Sequence, residues 1–363
     1  MKEKPFAMAL PIAALLLQQC NGPVSQQEST DDPFANAISQ PLVSHVYTAD
    51  PSARVFNGRI YVYPSHDIDS GVPENDRGDH FDMQDYHVFS MDSVGAKIID
   101  HGPVLRLEDI PWAGRQLWAP DAAYKDGTYF LYFPAKDKTG VFRIGVATSD
   151  RPEGPFKAEP EPIKGSYSID PTIFTDDDGQ SYLYFGGIWG GQLQRWATGE
   201  YDPKGSDTDL GIDTLPALSP KMARLTDDMR QFAEPLRNVV ILDENGNPIL
   251  TGDHERRFFE APWLHKYGDT YYLSYSTGDT HLLVYATSDN PYGPFRYRGV
   301  ILTQVIGWTT HHSIVEHNGK WWLFYHDTQL SKGKTHLRNI KVTELTHRED
   351  GSIETIHPYG KGE

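Results

Sequence analysis

Residues 314–327 read IVEHNGKWWLFYHD: a short apolar stretch, a polar turn holding Asn318 and Gly319, then an aromatic and aliphatic run. Four other stretches repeat the pattern: VFNGRIYVYPSHD (55–67), AAYKDGTYFLYFPAKD (122–137), TIFTDDDGQSYLYFGG (172–187) and WLHKYGDTYYLSYSTG (263–278). Asn-Gly or Asp-Gly between two such runs marks a β-hairpin, because glycine accepts the positive φ of a tight turn. Aromatic and β-branched residues favour strands, and no core segment combines sustained helical periodicity with caps at both ends. A further strand end recurs as GVATSDRPEGPF (145–156) and VYATSDNPYGPF (284–295), so each unit holds more than two strands. Turn glycines fall at 58, 127, 179, 268 and 319. The steps ending at 179 and 319 suit one four-stranded blade, and the longer ones carry insertions, GVPENDRGDHFDMQ (71–84) and the Gly- and Pro-rich stretch 186–220. Five equivalent hairpins predict an all-β, five-bladed β-propeller. A β-sandwich or a pair of smaller β domains is the rival architecture.

The chain has 363 residues, of which 38% are hydrophobic and 12% aromatic, enough to fill a large core. A formal charge of −17 argues against a nucleic-acid partner and is met most simply by solvated acidic loops. Cys20 is the single cysteine, so the fold has no intramolecular disulfide. Residues 1–20, MKEKPFAMALPIAALLLQQC, place two lysines ahead of an apolar run too short to span a bilayer, which is the pattern of a signal peptide. A leucine-rich run ending in cysteine is also the pattern of a lipoprotein signal, although Gln18 and Gln19 stand where small residues are usual. Export is expected, to the periplasm or outer membrane of a bacterium or as a secreted protein, with lipidation at Cys20 and ordinary cleavage as the alternatives. Residues 21–40 read as a flexible tether, and 41–363 as the propeller domain.

In a ring of repeats, equivalent positions point at the same place. Eight residues before the turn glycines stand Asp50, Ala119, Glu260 and His311, and nine before Gly179, whose turn has an extra Asp, stands Asp170. Proline follows closely in four units, displaced by one residue after Glu260. The innermost strands line the central channel, so three carboxylates and a histidine are expected to meet at its mouth. Like charges held close raise one another's pKa, a cost tolerated mostly where chemistry or a metal repays it. Two carboxyl groups flanking a bond are what glycosidic cleavage requires: one protonates the leaving oxygen while the other activates water or attacks. A third, near the acid, would keep it protonated.

The segments TADPSARVFNG, WAPDAAYKDG, SIDPTIF, FFEAPWLHK and THHSIVEHNGKWWLFYHD, in that order over roughly residues 41–358, resemble glycoside hydrolase family 43. The resemblance implies an inverting single displacement with Asp50 as general base, Glu260 as general acid and Asp170 tuning and orienting that acid. Base and acid should then stand about 6.5–9.5 Å apart, leaving room for water. It also implies a channel calcium, reached here by His311 of the T-H-H-S segment, with Thr310 where glycine is common and His312 as a substitute; no organic cofactor is expected. Arg338 in THLRNI matches an arginine that contacts substrate hydroxyls. Trp118 offers either an aromatic wall to the sugar or core packing, and His66, Asp67 and Asp121 are further pocket candidates. The motif set resembles exo-acting β-xylosidases acting on plant cell-wall oligosaccharides, with α-L-arabinofuranosidases as the near rival. A non-catalytic carbohydrate-binding propeller is the reading from another class, and it has no need of all three carboxylates.

Overall fold

The computed structural model describes residues 32–308 and 310–360; the expected signal segment, Cys20 and most of the expected tether lie outside the described residues. The chain divides into two units, Met1–Ala35 and Asn36–Glu363. In the first, the described residues close a single turn, with Ala35 N–H donating to the Asp32 carbonyl at 2.9 Å. Residues 36–40, expected as the end of the tether, belong instead to the large unit.

That unit is a five-bladed β-propeller. Among the described residues, helix is confined to three 3₁₀ turns, Leu107–Asp109, Trp189–Gly191 and Leu193–Trp196. Blade 1 is a four-stranded antiparallel meander of Tyr47–Phe56, Arg59–Asp67, Asp85–Met91 and Ile99–Arg106. In blade 2 the inner position is shared by Ala113–Arg115 and Asp121–Lys125, both paired with Thr128–Asp137; Phe142–Ser149 and Lys157–Ala158 follow outward. Blade 3 runs Thr172–Thr175, Ser181–Phe185, Lys221–Arg224 and Arg237–Asn238. Blade 4 runs Glu260–Tyr267, Thr270–Ser276, Leu283–Ser288 and Phe295–Leu302, with Ile241–Leu242 added parallel at its outer edge.

The fifth blade has three named strands, His312–His317, Lys320–Asp327 and Asn339–Leu345. Its outer edge is met by the start of the unit: Leu42 N–H donates to the Ile340 carbonyl at 2.7 Å and Ser39 Oγ to the Val342 carbonyl at 2.7 Å. Residues from both ends of the domain therefore complete the last blade. Pairing an outer strand in this way also covers an edge that would otherwise expose backbone donors and acceptors.

The inner hairpins follow their turn residues. Asn57-Gly58, Asp126-Gly127 and Asn318-Gly319 all have positive φ at both positions, the geometry whose twist matches the flanking strands. Apolar residues from facing sheets pack between neighbouring blades in five clusters. Tyr63 and Leu131 join blades 1 and 2; Phe130 and Leu183 join 2 and 3; Tyr184 and Leu273 join 3 and 4. Tyr285 and Leu323 join blades 4 and 5, and Val62 with Phe324 joins 5 back to 1. One apolar cluster for each neighbouring pair, the last included, is what closes the ring.

Candidate active site

Two of the inner strands, those of blades 1 and 4, begin with a break in the ladder. Register slips between Ala49 and Ser52 and between Glu260 and Trp263, leaving Asp50-Pro51 and Ala261-Pro262 as bulges. Asp50, Asp170 and Ala261 all lie in the left-handed region, at φ 51°, 57° and 59°, and each precedes a proline. Such a backbone costs of order 1–3 kcal/mol in a residue with a side chain and persists where its surroundings over-determine it. The backbone thus equates Ala261, not Glu260, with Asp50 and Asp170. Counting back from the turn glycine misplaced the fourth unit by one, because its Pro262 comes a residue later than the count assumes. Glu260 leaves the strand one position earlier and reaches the same cavity with a longer side chain.

That cavity, of about 300 Å³, is lined by Asp50, Asp170, Glu260, His311 and Arg338, together with Trp118 and Ala119. Its walls come largely from the two insertions, at Glu74 to Met83 and Ile188 to Gly191, which approach each other where Gly190 meets Arg77, with Phe259 and Trp308 added from outside them. Gly78 has φ +65°, and a Cβ there would stand 2.6 Å from the Trp118 ring, so the wall closes only with glycine at this point. Trp118 is itself pinned, donating from Nε1 to the Phe81 carbonyl at 2.8 Å. It is both packed and cavity-facing, so its two expected roles are one placement.

Arg338 organises the charges. Its Nε and Nη2 donate to Asp67 at 2.8 and 2.7 Å, its backbone N–H adds a third bond at 2.8 Å, and Nη1 donates to Asp50 Oδ1 at 2.9 Å. Burial pushes Asp67 upward against the pull of Arg338. Three N–H donors are nevertheless the partner set of a carboxylate, and Asp67 is read as ionised. Asp50 feels burial too, but the Arg338 guanidinium above all, with the Ser65 hydroxyl, outweighs it and holds the carboxyl below its ordinary range. Its backbone N–H donates to His326 Nδ1 at 3.0 Å.

Glu260 is the opposite case. Burial, reinforced by the charge of Asp50 and opposed by Arg338, pushes it up to about 8. Asp170 is also driven upward, by burial and then by Glu260 and Asp50. Two carboxyls this close titrate as a pair. Ala261 N–H donates to Asp170 Oδ2 at 2.9 Å, which favours charge on Asp170, whereas the Glu260 carboxyl makes no hydrogen bond among the described residues. The shared proton therefore resides on Glu260.

His311 borders the same space, with Nδ1 3.8 Å from Asp170 Oδ2. Burial lowers it to about 4, so the ring is neutral and its lone pair is available. His312, the substitute, faces away: it is fully buried, with Nε2 2.6 Å from Ser274 Oγ.

Three sequence candidates do not line the cavity. Asp67 acts on it only through Arg338. Asp121 is a junction between blades, accepting from Ser52 Oγ, from Arg54, and from the backbone N–H groups of Ala122 and Ile173, both at 2.7 Å. His66 sits on blade 1 with Nδ1 2.7 Å from Asp85 Oδ1; strand alternation turns it away from the face that carries Asp67. The residues missed were His326, Phe81, Trp189, Phe259 and Trp308. His326 lay in the quoted YHD run, and Trp189 was signalled only by Trp-Gly-Gly inside an insertion.

Residues 38–353 match the model of glycosyl hydrolases family 43. A xylosidase/arabinosidase of Humicola insolens is 60% identical over 88% of this chain and 99% of its own length. One from Bacteroides ovatus is 59% identical over 89% and 98%. Among solved structures, a GH43 β-xylosidase/α-arabinofuranosidase from a compost microbial metagenome, in complex with xylotriose and calcium-free, superposes with a TM-score of 0.88 at 71% identity, covering 89% of this chain and 98% of that one. A GH43_1 enzyme of Xanthomonas citri complexed with xylotriose superposes at 0.86 with 57% identity, covering 91% and 97%. A propeller whose centre gathers three carboxyls of split acidity, matched along nearly all its length, belongs to glycosyl hydrolases family 43.

Proposed function

We propose that this protein is an exo-acting β-xylosidase that removes xylose from xylo-oligosaccharides by an inverting single displacement. The observation that carries the reading is the split in acidity within one cavity, with Asp50 held ionised and Glu260 held protonated near neutral pH. Asp50 takes a proton from water as that water attacks the anomeric carbon. Glu260 gives its proton to the departing glycosidic oxygen, and both events occur in one step. Asp170 keeps negative charge beside Glu260 and so keeps the proton there. Arg338, fixed by Asp67, aligns Asp50 and offers a guanidinium edge to sugar hydroxyls. Trp118, Phe81 and Trp308 form apolar walls suited to the faces of a sugar ring.

The relatives bear double names, and β-D-xylopyranose and α-L-arabinofuranose present similar hydroxyl patterns. α-L-Arabinofuranosidase activity is therefore a second activity of the same pocket. Calcium fits this site held mainly by water oxygens, with the Asp170 carboxyl nearby and the His311 ring bordering it; when bound it would supply positive charge next to the carboxyls. Export, with Cys20 as the lipidated residue, rests on the leader pattern alone, and radiolabelled palmitate incorporation lost in Cys20→Ser tests it.

The direct test is release of 4-nitrophenol from its β-xyloside and α-arabinofuranoside, and of xylose from xylotriose, with and without chelator. Wild type should act on the xyloside and on xylotriose, and Glu260→Ala should be at least a hundredfold slower on xylotriose. Absence of cleavage of every substrate would leave the binding-propeller reading in its place.

A further inference from the structure

Blade 1 carries a second group of chemistry-bearing side chains, none of which lines the central cavity. His66 on its second strand and Asp85 and His87 on its third present donor atoms that all lie within 4.8 Å of one another. Asp85 Oδ1 is 2.7 Å from His66 Nδ1 and 3.9 Å from His87 Nε2, and the two rings stand 4.6 Å apart. The other oxygen of Asp85 faces Arg106 Nη1 at 3.5 Å, so its charge is shared while Oδ1 points between the histidines.

A second observation orients the set. His87 Nδ1 lies 3.2 Å from Asp100 Oδ1, and the other oxygen of Asp100 is 2.7 Å from His45 Nε2. A carboxylate only accepts, so the His87 proton is on Nδ1 and the lone pair is on Nε2. By the same rule His66 donates its Nδ1 proton to Asp85 Oδ1, and a cation bound among the three donor atoms takes the place of that proton beside the free Nε2 of His87. A carboxylate holding one imidazole nitrogen while the other is left free is the relay found behind metal-bound histidines. Zinc bonds of about 2.0–2.2 Å set tetrahedral donors about 3.3 Å apart, so the 2.7 and 3.9 Å separations from Asp85 Oδ1 each change by about half an ångström, and the donor atoms, all within 4.8 Å of one another, draw together. Side-chain exposures of 21%, 14% and 9% for His66, Asp85 and His87 leave an entry path and room for a water ligand. Two imidazoles and one carboxylate select a borderline transition metal over calcium or magnesium, which take oxygen ligands.

We propose that His66, Asp85 and His87 bind a divalent transition-metal ion of the zinc class, with water completing the shell and Asp100 orienting His87. The site is separate from the one at His311.

The test is titration of the metal-stripped protein with Zn²⁺ against a chromophoric chelator, together with Co²⁺ absorption. Wild type should bind one equivalent at this site and show visible Co²⁺ bands. His66→Ala, verified as folded by circular dichroism, should lose that equivalent and the bands, together with the rise in Tm that Zn²⁺ causes in wild type. Asp100→Asn should weaken binding about tenfold, and His311→Ala should retain the equivalent. Absence of stoichiometric zinc binding by wild type overturns the proposal, as does binding unchanged in His66→Ala or lost in His311→Ala.

Discussion

Asp50 and Glu260 are both carboxyls at one cavity, and neighbours alone give them opposite states. Arg338 is the decisive neighbour, since it draws Asp50 down and also restrains the rise of Glu260. kcat/KM should therefore follow a bell with its basic limb near pH 8, where Glu260 loses its proton, and an acid limb below the usual carboxylate range. Arg338→Met should move both limbs to higher pH, a change that loss of packing alone would not produce. It should also destabilise the fold by about 3–5 kcal/mol, because Asp50 and Asp67 are left as buried charges without their partner. Glu260→Gln should lower kcat on xylotriose by roughly 10²–10⁴ and much less on substrates whose leaving group departs without protonation. The same residue links pH to stability. Folded Glu260 holds its proton up to about 8, while the unfolded group releases it near 4.5, so the native state loses stability as pH rises between those values. The Tm of Glu260→Gln relative to wild type should rise over that window and level off above it.

Elements carry these residues through turns and bulges, and the two differ in how plainly sequence announces them. Asn57-Gly58, Asp126-Gly127 and Asn318-Gly319 are short-range signals, because only a few residue types accept their backbone, and those hairpins lie where the pattern places them. The bulges are set by tertiary packing. Asp50-Pro51 hints at one and the later Pro262 at the other, but that Ala261, not Glu260, takes the left-handed position shows only in the backbone. Asp121 illustrates the same limit: its motif reads as a pocket aspartate, while its bonds run to Arg54 of blade 1 and Ile173 of blade 3. Asp121→Ala should accordingly cost about 3–5 kcal/mol in chemical denaturation through the unpaired Arg54, with KM in the folded fraction nearly unchanged. Gly78→Ala should do the reverse. A Cβ there forces the Trp118 ring aside, raising KM with modest loss of stability.

At the scale of the molecule, five apolar clusters alternate with five sheets, and the ring they close brings residues 50, 170, 260 and 338 to one place. The ring was legible because repetition writes the hairpin five times, and the carboxyls because three of the five units carry one at or next to the same place. The cavity walls were not, because Trp189, Trp308 and Glu74 stand outside the repeat, where nothing in the pattern says which way an insertion folds. The closing edge was hidden for a similar reason: Leu42 falls in the expected domain, but Ser39 lies in a polar stretch that looks like a tether until its hydrogen bond to Val342 is seen. Deleting residues 36–43 should lower Tm by several degrees and leave the pH profile in place.

In a single inverting displacement water attacks from the Asp50 side as Glu260 releases the leaving group. Proton NMR of the first xylose released from xylotriose reads that step directly. Inversion gives the α anomer first, with the β anomer growing only by mutarotation; the β anomer appearing first would mean retention and rule out direct attack by water.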